Sequence, residues 1–192
     1  MKKVFNNEKA DRVPIGFWYH YVLPRDHFRA LEDKEVLNAV IEGHKNMYQE
    51  MEPDFVKIMS DGFFGHPSLY NSNIETAEDL YQIKAVGKDH PWITEQVKFV
   101  KEINDTFHDE VYTFYSIFSP LHCIRLYFEE FEADNRKFPR LFCENPEAMA
   151  HAAEEVAKDL DILIDSIYEN VEIDGIYYSV QEVQDDDYLT YV

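Results

Sequence analysis

His20, Asp61 and His122 stand at the ends of three successive β-rich runs. Two imidazoles and a carboxylate are a legitimate donor set for zinc or iron. The chain has 8 His in 192 residues, so such groupings arise readily by coincidence, and the sequence by itself assigns no metal and no cofactor. Asp61 has a plainer reading too: followed by Gly62, it can cap its own loop through its side chain. His122 and Cys123 are neighbours in sequence, and adjacent helical residues do not share a face. Gly62 and Gly65 lack the spacing and the Lys-Ser/Thr end of a phosphate loop. Aromatic residues crowd the same run ends, among them Trp18, Tyr19, Phe63, Phe64, Tyr177 and Tyr178. A flat apolar ligand suits such surroundings, although strand aromatics more often belong to a core.

Composition narrows the partners. The chain carries 18 basic and 38 acidic residues, a formal charge of −20. Nucleic acids and anionic membranes need clustered Lys and Arg, so neither is expected as a partner. The last 64 residues hold 18 of the acids and only 4 of the bases, the pattern of solvated helix faces. With 45% apolar and 15% aromatic residues the chain has ample material for a core. No apolar stretch follows Lys2-Lys3 as in a signal peptide, no run is long enough for a membrane span, and Cys123 and Cys143 form no close-spaced motif. A cytoplasmic protein with reduced thiols is the expectation.

The elements that must position these groups alternate. Strands are predicted at Val13–Tyr19, Phe55–Met59, Glu110–Phe118 and Gly175–Val180. Between them, Val36, Leu37, Val40, Ile41, His44 and Met47 recur at helical spacing behind Asp33, a plausible N-cap. Ile93, Val97, Val100, Ile103 and Phe107 mark a second helix opened by Pro91, and a short helix is expected near Ala77–Tyr81. Residues 121–131 read as helical without a clean period. Asn145, Pro146 and Glu147 announce a long helix with an apolar stripe from Met149 to Ile167. The order β-α-β-α-β-α-β argues for a parallel sheet covered by helices, whose strand C-terminal ends collect the site residues. Those ends are Tyr19-His20, Ser60-Asp61-Gly62, Phe118-Ser119-Pro120 and Ser179-Val180-Gln181.

These stretches resemble the uroporphyrinogen decarboxylase superfamily, which holds the haem-pathway decarboxylase and the zinc-dependent corrinoid methyltransferases. The matching segments are Arg12-Val13-Pro14-Ile15-Gly16-Phe17, Lys57-Ile58-Met59-Ser60-Asp61-Gly62, Tyr115-Ser116-Ile117-Phe118-Ser119-Pro120, and Asn145-Pro146-Glu147 through Asp174-Gly175-Ile176-Tyr177-Tyr178-Ser179. They run in the family's order and spacing over nearly the whole chain. The resemblance implies an α/β fold: the N-terminal half, four β/α units, of a TIM (β/α)8 barrel, as one partial domain over residues 1–192.

It also implies roles. Asp61 matches the family's invariant aspartate, which binds pyrrole N–H groups and stabilises charge during protonation. The family's two strand-one arginines fall on Tyr19 and Leu23, neither of which can hold a carboxylate bidentately, with Arg25 and Arg29 a few residues on. The family's tyrosine after the proline turn falls beside Tyr127. Asp61 is therefore the expected catalytic residue, with Tyr19, His20, Arg25, His122, Tyr127 and Ser179 expected to bind substrate. The zinc-binding residues of the methyltransferases belong to the half not matched. The expectation is a decarboxylase-like protein, truncated or split, with little or no activity alone. The alternatives are half of a methyltransferase, or a non-catalytic subunit. Its partners would be a tetrapyrrole-like ligand or a methyl donor, and either a second copy or a C-terminal half-barrel.

Overall fold

Four short apolar runs pair in parallel and in chain order, β1-β2-β3-β4. The computed structural model describes residues 1–107 and 110–180, so Gln181 lies outside the described residues. The strands are β1 (Gly16–Phe17), β2 (Phe55–Ile58), β3 (Tyr112–Phe118) and β4 (Gly175–Ser179). The helices are α1 (Lys2–Phe5), α2 (Lys34–Met51), α3 (Pro67–Tyr70), α4 (Pro91–Phe107), α5 (Pro120–Leu126), α6 (Lys137–Glu144) and α7 (Pro146–Asn170). Parallel neighbours need a crossover, and α2, α4 and α7 supply the three long ones. The chain is α/β with an all-parallel sheet.

Capping explains where the long helices begin. The Asp33 carboxylate accepts the Glu35 N–H at 2.9 Å, and the Asn145 side chain accepts the Ala148 N–H at 3.0 Å. One apolar core then joins sheet and helices. Val56, Ile58, Tyr115 and Ile117 pack with Val40, Phe99, Ile103, Met149, Val156 and Leu163. The Tyr115 hydroxyl, buried in that core, donates to Gln96 Oε1 at 2.6 Å. Alternation sends Lys57 and Tyr177 to the other face, where the Lys57 ammonium lies 4.1 Å from the Tyr177 ring centre and 5.1 Å from that of Trp18.

Among the departures from the sequence reading, three have a clear local basis. The first strand shrinks from Val13–Tyr19 to Gly16–Phe17. Pro14 has no N–H, and the Ile15 N–H is taken by the Asp54 carboxylate, which the Arg12 guanidinium also grips at 2.7 Å. The helix near Ala77–Tyr81 is a 3₁₀ helix, Ala77–Gln82, opened by a Thr76–Asp79 capping box. Helix α6 falls in a stretch for which the sequence predicts no element. Its Pro139 sits in the first turn, where the missing N–H has no intrahelical partner to lose.

A buried carboxylate fastens the loop before α4. Asp159 on α7 accepts the Val86 and Gly87 N–H groups at 2.6 and 2.8 Å. It also faces His66 Nε2 at 2.8 Å. Since His66 Nδ1 accepts the Ser68 N–H, Nε2 is the donor to Asp159. Burial opposes ionisation of Asp159, but the His66 hydrogen bond and the two N–H groups outweigh it and hold the carboxyl below its ordinary 3.8. A depressed carboxyl contributes stability that is complete above that ordinary value and is lost as pH falls through the folded-state value. Asp159→Asn should therefore lower the unfolding free energy at pH 7 by about 3 kcal/mol and flatten its acid limb. Urea titrations of both proteins at pH 7 and pH 3 measure the two effects.

Candidate functional site

Asp61 follows β2 at the C-terminal end of the sheet and has no exposure to solvent. One of its oxygens accepts the Tyr21 N–H at 2.9 Å, and the other lies 3.0 Å from His20 Nδ1. Both partners belong to the segment leaving β1, so the carboxylate ties the ends of two adjacent strands together. Gly62 makes the turn possible. Its φ is +96°, and a Cβ there would meet the Ala30 Cβ at 2.6 Å, while its carbonyl accepts the Ala30 N–H at 3.0 Å.

His27 joins this pair. Its ring centre lies 4.6 Å from that of His20, and its Nδ1 lies 3.1 Å from Glu130 Oε2. Glu130 is delivered by the π-helical turn Tyr127–Phe131 that continues α5. The other ring nitrogen, Nε2, is buried and has no hydrogen-bond partner among the described residues. One donor atom from each of His20, His27 and Asp61 lies within 4.8 Å of the others. Phe64 forms an aromatic wall beside them, with ring centres 4.6 Å from His27, 5.9 Å from His20 and 4.8 Å from Phe118.

The electrostatics centre on Asp61. Its hydrogen bond raises His20 above the ordinary imidazole value of 6.5, against the opposing effect of burial. Burial lowers Lys57, with Asp61 opposing. His44, behind the site on α2, is fixed as the Nδ1–H tautomer. Nδ1 donates to the Val40 carbonyl at 2.7 Å, and Nε2 accepts the Met59 N–H at 2.8 Å. Burial pushes it down to about 4.

The expected site residues divide. Asp61 and His20 stand together, and Tyr19 lies half exposed next to them in the chain. His122 is buried against Phe118, with ring centres 4.6 Å apart, and burial lowers its pKa; His27, not His122, completes the three-residue group. The Ser179 carbonyl accepts the Ser119 N–H at 3.0 Å and so joins the ends of β3 and β4. Arg25 does not reach Asp61: its side chain is 77% exposed and leans on Asp26. Tyr127 is core, packed on Phe131 and Tyr70, and burial raises its phenol. Cys123 is equally inert, pushed up to about 12 by burial.

His27 and Glu130 were not singled out by the sequence. His27 sits in a segment without periodicity, and the π turn destroys the helical period around Glu130. A cleft of about 290 Å³ lies at the opposite end of the sheet, lined by Asn104, Val111, Thr113 and Asp174 among others. It contains none of these groups. Among the described residues, no helix is long and apolar enough to cross a membrane. Comparison with family models, curated proteins and solved structures finds no match for this chain.

Two outcomes are expected from this geometry. Between pH 6.5 and 4 the unfolded chain takes up a proton at residue 44 that the folded chain refuses. Stability from His44 is thus complete above 6.5 and declines by about 3 kcal/mol towards pH 4. His44→Gln, which keeps an acceptor for Met59, should show a shallower loss over that window in denaturant titrations. Gly62→Ala should lose about 1–3 kcal/mol through backbone strain and the Ala30 clash, read as a lowered urea midpoint.

Proposed function

We propose that this chain forms four consecutive β/α units of a (β/α)8-type barrel. In this reading it is a uroporphyrinogen decarboxylase-like protein that binds a small organic ligand around Asp61 and lacks decarboxylase activity by itself. The observation that carries the reading is a buried carboxylate at the tip of the second of four parallel strands running in chain order. A doubly wound sheet reverses its strand order at a switch point, whereas a barrel adds strands in sequence. An aspartate at that tip offers oxygens to converging N–H donors, as the Tyr21 N–H already demonstrates. His20, half exposed in its side chain, can yield its place to a ligand N–H.

Turnover of a polycarboxylate is disfavoured by the surroundings of Asp61. Tyr19 and Leu23 occupy the matching arginine positions, Arg25 points to solvent, and Glu130 adds a second acid. Trp18 and Tyr177 on the sheet face away from α2, α4 and α7, and Val13, Ile15 and Tyr178 near its edges, are 40% exposed or more. That apolar surface favours association with further β/α units, in the same polypeptide or another.

The test is an anaerobic titration of the full chain with coproporphyrinogen and uroporphyrinogen, monitored by tryptophan fluorescence, together with a decarboxylation assay. Binding should favour the less carboxylated compound, and Asp61→Asn, which keeps an acceptor for Tyr21, should weaken it at least tenfold. No coproporphyrinogen should form from uroporphyrinogen above a protein-free control. Failure of both compounds to bind, or measurable turnover, would overturn the reading.

A further inference from the structure

We propose that His20, His27 and Asp61 form a binding site for one divalent transition-metal ion, of the zinc or ferrous class, oriented by Glu130. The inference goes beyond the organic-ligand reading and does not rest on it. Donors held about 2.1 Å from a common ion are about 3 to 4.2 Å apart, and the three donors here already lie within 4.8 Å of one another. His20, whose side chain is 52% exposed, is the least confined of the three and has room to adjust.

Two features distinguish this group from a chance cluster. His27 is 3% exposed, and its Nε2 is buried without a hydrogen-bond partner among the described residues, which leaves that nitrogen open to a ligand. Its Nδ1 is meanwhile engaged by Glu130. A carboxylate that accepts the Nδ1–H leaves Nε2 with its lone pair free, the tautomer a metal requires, and fixes the ring's direction. Asp61 keeps one oxygen on the Tyr21 N–H while the other, now facing His20, turns to the ion.

Charge supports a cation. Asp61 and Glu130 outweigh the nearby Lys57, which partly neutralises them. Two imidazoles and one carboxylate, without thiolate, leave coordination positions for water or a ligand, as in a reactive centre rather than a structural one. An ion and a pyrrole N–H donor would compete for Asp61, so zinc should weaken porphyrinogen binding if both readings hold.

The experiment is calorimetric titration of the EDTA-treated full chain with Zn²⁺ alone, repeated with Co²⁺ to track its visible absorption. One saturable ion per chain is expected. His20→Ala, at a half-exposed position, should abolish saturable binding, as should His27→Gln, with circular dichroism verifying that each variant is folded. Glu130→Gln should weaken it 10–100-fold. Cys143→Ser, which removes the exposed thiol, should change nothing. Absence of saturable binding, or binding that survives both histidine changes, would overturn the proposal. Because the metal is added alone, this result stands apart from the porphyrinogen titration.

Discussion

A carboxylate removed from water must be met by donors, and the meeting at Asp61 organises the C-terminal ends of the first two strands. Strand β1 is only two residues long and could not hold its exit segment in place through ladder hydrogen bonds alone. The Asp61–Tyr21 and Asp61–His20 contacts do so instead, and they bring His20 against His27 and both against Phe64.

Much of this frame was legible in the residues. Asp33 and Asn145 announced helix starts, the apolar stripes of α2, α4 and α7 recur at helical spacing, and short β-rich runs fell between them. Asp61 was visible because it ends an apolar run before a glycine. The features that could not be read depended on backbone geometry outside regular elements. His27 comes directly after a 3₁₀ turn, and Glu130 lies where the helical period fails. Arg25 looked available by distance along the chain, yet that same 3₁₀ turn sends it to solvent. Tyr127 looked like a rim residue by count and is packed in the core.

The His66–Asp159 and His27–Glu130 contacts serve different ends. His66 and Asp159 are wholly enclosed, every polar atom facing a partner, and they fasten a loop to a helix. His27 and Glu130 leave one ring nitrogen unsatisfied beside a half-exposed His20. Similar chemistry serves rigidity in one place and is kept open in the other.

The π turn after α5 bears on how this chain can vary. In that turn the Glu132 N–H reaches back five residues to the Tyr127 carbonyl at 3.0 Å, one more than an α-helix allows. A π turn is equivalent to a single-residue insertion in an α-helix, and each helical residue turns the chain by about 100°. Removing one residue between Tyr127 and Phe131 would restore ordinary helix and rotate the downstream chain by that angle. Shortening the segment at Phe128 or Glu129 would thus carry the Glu130 carboxylate away from His27 with no change to the acid itself.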